Sequence, residues 1–389
     1  MGYQAGFNAT TANNTVAIGR SVIGLGVLTG DGNIAIGHSA GYDLTSGTYN
    51  ILQGYTAGSN VTTANYGIAI GYAAIGAGVM TGTDNTAIGR LAGQDLTSGT
   101  YNDFIGYSAA RNATTANYGV AIGYLAMGLG VVTGTDNTAI GNAAGYDLTS
   151  GTYNFFGGYR AGYNATTGAS NIAIGRQAIG LGVITGTNNV ALGYQAGYDL
   201  TSGDHNFLSG YTAGANVTTG ADNTILGPAA GDALTTGSNN TIIGHDAAAS
   251  AVDVSNEITI GDGSASKFRL PGAGFEIDDG AVVATGDITA FGSLSDIRLK
   301  ENIEPITNAL DKVSQIGGYT FNYKKNPDVR MTGVIAQEVE KVLPEVIYTT
   351  AEIGSEEENL AVRYENMIGL LVEAIKELKT EVEELKKGK

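Results

Sequence analysis

Residues 84–106 read DNTAIGRLAGQDLTSGTYNDFIG and contain the two short patterns that build the N-terminal two-thirds of the chain. The first pattern, Asn-Thr-Ala-Ile-Gly at residues 85–89, recurs in varied form. Three successive copies of this pattern end at Gly71, Gly89 and Gly106, which are 18 and 17 residues apart. The second pattern, Asp-Leu-Thr-Ser-Gly, recurs once for every three of these short units. It begins at Asp43, Asp95, Asp147 and Asp199.

Each short unit predicts one β-strand followed by a corner. Apolar β-branched residues are typical of strands, and the closing glycine permits a tight turn with positive φ. Seventeen residues leave no room for a helical crossover, which favours stacked coils of a parallel β-solenoid or β-roll. A larger turn, made of three short units with three flat sides, remains the alternative. The closing glycines are Gly19, Gly37, Gly54, Gly71, Gly89, Gly106, Gly123, Gly141, Gly158, Gly175, Gly193, Gly210, Gly227, Gly244 and Gly261.

Every third coil departs from this pattern two residues before its closing glycine. Most coils have alanine there, whereas one coil in three has a leucine or phenylalanine. A shift of one residue along a strand exchanges its two faces. The pattern therefore has two interpretations. Either every third coil turns a large side chain toward another chain, or a unit of three coils was duplicated together with its irregular residues. The large residues are Leu52, Phe104, Phe156 and Leu208.

Charge and composition exclude several classes of function. The formal net charge of −17 argues against nucleic acid or anionic lipid as a partner, because binding phosphates needs clustered Lys and Arg. No long apolar run is present, so we expect no membrane insertion, and residues 1–14 show no signal peptide. The absence of cysteine excludes disulfides and cysteine-based metal sites.

Two polar features of the repeat fit a structural role better than a chemical one. Asn-x-Thr triplets match a glycosylation acceptor, but they recur because the turn recurs. The aspartates of the longer repeat are typical of turn caps, and no isolated carboxylate pair of the glycosidase kind stands out. We therefore predict no cofactor, no metal and no external substrate. The triplets begin at Asn8, Asn60, Asn112, Asn164 and Asn216.

The last third of the chain has a different composition. Residues 1–261 contain 5 basic and 14 acidic residues, whereas residues 262–389 contain 15 basic and 23 acidic residues. This shift predicts a repetitive shaft at 1–261, a β-rich neck or linker at 262–294 and a small α+β domain at 295–389.

Four motifs follow one another in the last of these regions. They are SDIRLKENI at 295–303, GVIAQEV at 333–339, LPEV at 343–346 and AVRYEN at 361–366. Their order and spacing resemble the intramolecular chaperone domain of endosialidase tailspikes, which ends many phage tail fibres and spikes. The resemblance covers about residues 290–387.

The resemblance implies a domain that trimerises, aligns the three chains in front of it and then cuts the peptide bond before its own serine. Carried over, the catalytic serine is Ser295, the lysine is Lys300 and the cut bond is Leu294–Ser295. Met331 stands where some members have a histidine, which leaves any helper role of that histidine unfilled. The enzyme activity implied is at most a single-turnover autoproteolysis of the serine peptidase type.

This chemistry is reasonable for the residues themselves. A serine hydroxyl is a poor nucleophile until a base takes its proton. A lysine is a base only when its pKa falls, through burial or a nearby cation, and Arg298 is one such cation. Seryl attack on the Leu294 carbonyl would give an ester that water hydrolyses.

A heptad seam predicts that the last helix associates with copies of itself. Apolar residues spaced 3, 4, 3, 4 and 3 apart form a coiled-coil seam within about residues 360–387, and charged residues fill the positions between them. The side chains at the seam positions favour two strands, whereas the resemblance implies three. A single helix packed on its own domain is the alternative. The seam residues are Ile368, Leu371, Ile375, Leu378, Val382 and Leu385.

Together these features predict a trimeric phage-type tail fibre in the virion tail, made in the host cytoplasm. Its expected partners are two further copies, a host surface receptor (a glycan or an outer-surface protein), and the baseplate or other fibre proteins. The repeat also resembles the heads of trimeric autotransporter adhesins, which makes a cell-surface adhesin the alternative, although an export signal is not apparent. A polysaccharide-degrading tailspike is the third hypothesis.

Overall fold

Short strands separated by glycine corners form the first part of the computed structural model, which describes residues 2–264, 297–324, 326–351 and 358–388. The chain divides into two compact units, Met1–Phe268 and Arg269–Lys389. In the described part of the first unit, a three-residue strand precedes each closing glycine, and the fifteen strands form one sheet in chain order. They are β1 (Val16–Ile18), β2 (Ile34–Ile36), β3 (Ile51–Gln53), β4 (Ile68–Ile70), β5 (Thr86–Ile88), β6 (Asp103–Ile105), β7 (Val120–Ile122), β8 (Thr138–Ile140), β9 (Phe155–Gly157), β10 (Ile172–Ile174), β11 (Val190–Leu192), β12 (Phe207–Ser209), β13 (Thr224–Leu226), β14 (Thr241–Ile243) and β15 (Ile258–Ile260).

All neighbouring strands in this sheet are parallel and in register with the repeat. Phe104 of β6, for example, pairs with Ala87 of β5 and with Ala121 of β7. Each strand therefore pairs with the strand of the next short unit, which confirms the predicted parallel β-solenoid. The same pairing excludes the larger turn that would contain three short units.

The closing glycines occupy corners that no other residue fits. At Gly71 the φ angle is +136°, and an added Cβ atom would lie 2.5 Å from the carbonyl oxygen of Gly89 in the next coil. Because that neighbour is backbone, it cannot move aside without breaking the stack of coils. The requirement for glycine with positive φ, expected from the sequence, is confirmed.

The large residues of every third coil lie inside the solenoid, so the interpretation that they contact another chain is wrong. Phe156 is fully buried and pairs in the sheet with Ala139 and Ala173, which lie on the same inner face. The strand does not exchange its faces. Instead, the ring occupies space beside Gly145, where an added Cβ atom would lie 2.9 Å from it. The other three residues, Leu52, Phe104 and Leu208, are also at most 1% exposed.

A column of asparagines runs through the interior just before the strands. The Asn154 Nδ2 donates to Asn137 Oδ1 at 3.0 Å and to the Gly168 carbonyl at 2.8 Å. Its Oδ1 accepts hydrogen bonds from the backbone and side-chain N–H groups of Asn171. Asn154 thus links its own coil to both of its neighbours. The buried members are Asn33, Asn50, Asn85, Asn102, Asn137, Asn154, Asn171, Asn189, Asn206, Asn223 and Asn240.

The asparagines of the Asn-x-Thr triplets also form hydrogen bonds between neighbouring coils. The Nδ2 groups of Asn60 and Asn112 each donate to a carbonyl in the following coil, that of Ala77 and that of Leu129, both at 2.8 Å. The side chains that would accept a glycan are therefore engaged in hydrogen bonds between coils, which supports the structural interpretation.

The second unit combines two antiparallel hairpins with three helices. Its elements are β16 (Gly318–Tyr323), β17 (Asn326–Val334), β18 (Ile347–Ala351), β19 (Glu358–Val362), α1 (Ala309–Ser314), α2 (Ala336–Val342) and α3 (Ile368–Lys387). Short 3₁₀ turns at Ile297–Leu299, Pro344–Val346 and Tyr364–Met367 connect them. The core consists of Ala309, Val339, Leu343, Val346, Leu370 and Ala374. Helix α3 begins later than the expected start near residue 360, because Glu358–Val362 pairs with β18 instead.

Helix α1 receives its N-terminal cap from α3. Both carboxylate oxygens of Glu377 accept hydrogen bonds, from the backbone N–H of Ala309 at 2.9 Å and from that of Leu310 at 2.7 Å. Asn308, at the cap position, has φ of +52° and makes no capping bond with its own side chain. The donated N–H groups of Leu310 and then Ala309 hold the pKa of Glu377 below its ordinary value.

We predict that Glu377→Gln lowers the stability of the second unit in a pH-dependent way. A carboxylate with a lowered pKa stabilises the fold above its ordinary pKa and loses that contribution as pH falls through the lowered value. Urea unfolding of the full chain, followed by the helical signal, should show a lower midpoint for the variant at neutral pH and a difference that shrinks as the pH falls through the lowered pKa. Glu383→Gln, on the exposed part of the same helix, is the control. Equal midpoints for Glu377→Gln and wild type at neutral pH would contradict this role.

Candidate assembly and processing site

Two of the predicted processing residues, Leu294 and Ser295, lie outside the described residues. Lys300 follows the 3₁₀ turn Ile297–Leu299, and its backbone N–H donates to the Ile297 carbonyl at 3.2 Å. The Lys300 side chain is exposed to solvent in the single chain. Met331 lies in β17 and is 42% exposed.

Two of the four motifs of the second unit meet at Tyr364. The backbone N–H of Val334, at the end of β17, donates to the Tyr364 Oη at 3.3 Å. At Gly333 an added Cβ atom would lie 2.5 Å from that same oxygen, so a larger residue there would displace the tyrosine. GVIAQEV and AVRYEN, which are separate in the sequence, are thus neighbours in the fold.

A second contact links AVRYEN to LPEV and to the residues just after it. The backbone N–H of Arg363 donates to the Val346 carbonyl at 2.9 Å, and the Arg363 guanidinium lies 5.2 Å from the centre of the Tyr348 ring. A cation over an aromatic face is attracted by the ring's electrons. The motifs therefore hold the two hairpins and the start of α3 together.

Glu338, within GVIAQEV, fastens α2 to the start of the first hairpin. Its carboxylate accepts hydrogen bonds from the Gly317 backbone N–H at 2.9 Å and from the Tyr319 hydroxyl at 2.8 Å. These donors, Gly317 first, lower the pKa of Glu338, and the bond to Glu338 raises the pKa of Tyr319. The motif glutamate thus has a structural role in the single chain.

Helix α3 presents two different apolar faces. Leu370 and Ala374 are buried against their own domain. The six seam residues instead lie on the exposed side: Ile368 is 61% exposed, Ile375 66% and Leu385 74%. The helix packs on its own domain, as the alternative interpretation held, but it does so through residues outside the seam. The seam has no partner within the described residues of the chain.

The described residues offer little for other chemistry. They contain no cluster of three or more His, Cys, Asp or Glu side chains placed to hold a metal ion. In the shaft, partial burial raises the pKa of Asp43 and of Asp147. None of the helices in the described ranges is both long and apolar enough to span a membrane.

Comparison with known proteins identifies the C-terminal region. Residues 295–348 match the family described as chaperone of endosialidase, and the match begins at the predicted catalytic serine. The chain is 41% identical over 95 residues to a long tail fiber protein Gp37 of Enterobacteria phage K3, covering 23% of this chain and 8% of that protein. It is 34% identical over 129 residues to Gp37 of Enterobacteria phage Ox2, covering 30% of this chain and 49% of that protein.

A relative from Salmonella phage S16, also a long tail fiber protein Gp37, is 36% identical over 100 residues. The chain therefore spans less than half of the length of these relatives, and only 8% of the K3 protein. These matches support the predicted phage tail fibre and the predicted chaperone domain. Residues 295–348 are therefore similar to the chaperone of endosialidase family, and the chain as a whole is similar in part to phage long tail fibre proteins.

Proposed function

We propose that the chain is part of a trimeric tail fibre whose C-terminal domain assembles three shafts and then cleaves itself from them. In this proposal the shaft is 1–261, a neck or linker is 262–294 and the assembly domain is 295–389. The fibre lies in the virion tail, joins the baseplate or other fibre proteins and contacts a host surface receptor. The family match and the long tail fibre relatives support this proposal.

The unpartnered seam of α3 is the observation that carries the assembly role. Six apolar side chains at heptad spacing lie in solvent on a helix whose first half already packs on its own domain through Leu370 and Ala374. Exposing them costs free energy, roughly 25 cal/mol for each Å² of apolar surface. Three parallel copies of α3 would bury this seam in a coiled coil, because heptad spacing keeps apolar residues on one side of each helix.

Assembly also explains how Lys300 could act as a base. A lysine takes a proton only in its neutral form, which burial favours. The Lys300 side chain is exposed in the single chain, and in this proposal neighbouring chains bury it on assembly. Cleavage would then follow trimerisation and not precede it.

The cleavage step balances with these residues and one water molecule. The Ser295 hydroxyl oxygen attacks the Leu294 carbonyl carbon while Lys300 takes the hydroxyl proton, which returns to the Ser295 nitrogen as the C–N bond breaks. The product is an ester between Leu294 and the Ser295 side chain. Water hydrolyses this ester to the Leu294 carboxylate and the free Ser295 hydroxyl.

The shaft would supply reach toward the host. Fifteen strands at about 4.8 Å spacing give a continuous sheet roughly 70 Å long. Backbone hydrogen bonds along the axis make such a stack stiff, which suits a fibre that holds a receptor-binding end away from the particle. This supports host attachment as the task of the fibre.

We predict that Ile375→Asp converts the trimer into monomers. The substitution places a charge in the middle of the apolar seam, where burial without a partner is costly. In the Ser295→Ala background, which keeps the chain whole, the mass measured by light scattering at micromolar concentration should fall to a third. Thr380→Asp, on the exposed side of the same helix, should leave the trimer intact. A trimer that survives Ile375→Asp would contradict the role of the seam.

We further predict that wild type cleaves before residue 295 and that Ser295→Ala does not. Mass spectrometry of the assembled wild type should show two fragments, one of them residues 295–389, whereas Ser295→Ala stays at full mass. Lys300→Met should also stay at full mass, while Met331→His should leave the cut site unchanged. A wild-type trimer that keeps its full mass would rule out self-cleavage but not assembly.

A further inference from the structure

The outer face of the fifteen-stranded sheet is apolar along its whole length. In each strand the middle residue faces the interior, whereas the first and third residues lie on the outside. In β10, Ile172 and Ile174 are 37% and 44% exposed, and Ala173 between them is buried. Most outward positions hold Ile, Val, Leu, Phe or Thr, and Asp103 is the only charged residue at the outward positions of these fifteen strands. We call this surface the sheet face.

The sheet face is large enough for a stable interface. About 70 Å of length and about 10 Å of width give roughly 700 Å², near the ~800 Å² per partner of a standard interface. A contiguous apolar patch above a few hundred Å² on a soluble protein marks an interaction surface. The face is therefore too extensive to be explained as scattered surface apolar residues.

A column of tyrosines and arginines borders the sheet face on one side. Ten of the fifteen residues that directly follow the closing glycines are Tyr or Arg, and they form this column. The rings of Tyr55 and Tyr72 stack with centres 5.3 Å apart, and the Arg90 guanidinium lies 5.5 Å from the Tyr72 ring and 5.6 Å from the Tyr107 ring. An apolar centre with a border rich in Tyr and Arg is the composition of protein interfaces.

We propose that the sheet face is the surface through which copies of this chain pack along the shaft. The proposal rests on the trimer proposed above and specifies how its shafts meet. A partner must offer an apolar contact at every coil over about 70 Å, and a second copy in parallel has that spacing throughout. Of the 14 acidic residues of the shaft, 13 lie away from the strands' outward positions, so like charges do not oppose the approach.

A second apolar feature of the shaft is the competing surface. The coils that contain 18 residues, where most contain 17, have exposed aliphatic residues in their loops. Leu129, for example, is 55% exposed and Val131 is 53% exposed. They recur only in every third coil, about 14 Å apart, and so give separate contacts and no continuous face. Val131 lies 9 residues before Ile140 in a coil of 18 residues. The two residues therefore lie on different sides of the shaft.

Spin labels on single cysteines can distinguish these two surfaces, because the chain contains no cysteine of its own. Ile140→Cys and Val131→Cys form one matched pair, and Ile174→Cys and Val183→Cys form a second, in case one label disturbs packing. The mass of each labelled sample is measured first, and then the distance between equivalent labels by pulsed electron paramagnetic resonance.

We expect trimers in which labels at Ile140 and Ile174 lie within roughly 25 Å of their equivalents, since packed sheets lie about 10 Å apart. Labels at Val131 and Val183 should lie clearly farther apart. Trimers with the shorter distances at Val131 and Val183, or with long distances at all four positions, would overturn the sheet-face interface while leaving the trimer in place. Monomers would overturn the proposed assembly itself, and the interface with it.

Discussion

Inside the shaft, a column of buried asparagines joins neighbouring coils, and its members from Asn154 to Asn223 each bond to the asparagine of the preceding coil and to that of the following coil. A buried amide needs all of these partners, because an unsatisfied polar group in the interior costs about 1–3 kcal/mol. Each coil must therefore bring its asparagine to the same place. This restricts the coil length to 17 residues, as from Asn154 to Asn171, or to 18 residues, as from Asn171 to Asn189. Where the sequence has Gly67 in this column, its backbone N–H still donates to Asn50 Oδ1 at 2.8 Å.

The same constraint arranges the surface. Because every coil repeats the path of the last, side chains at equivalent positions line up in columns with the spacing of the strands. The isoleucines of the sheet face and the tyrosines and arginines beside it are two such columns. A column with regular spacing is matched best by an identical column, which is why a stack of coils is suited to association with its own copies.

The shaft was largely predictable from the sequence, because its repeat shows the coil length, the strands and the glycine corners directly. The burial of Phe156 and its equivalents was not, because a large residue in place of alanine looks the same in a sequence whether it fills the core or contacts a neighbour. The role of the asparagines was missed as well, although their recurrence in the Asn-Thr-Ala-Ile-Gly pattern was a visible signal. In the second unit, Glu377 caps a helix 67 and 68 residues earlier in the chain, a contact that no local pattern indicates.

Replacement of one amide in the column tests the central role of the asparagines most directly. Hydrogen–deuterium exchange of the full chain is compared between wild type, Asn154→Ala and Asn142→Ala, the last of which removes an exposed asparagine of the same region. The account predicts that Asn154→Ala speeds exchange in β8 to β10 by roughly tenfold, since about 1–3 kcal/mol of hydrogen bonding is lost, and that Asn142→Ala does not. Equal protection of these strands in all three proteins would contradict it.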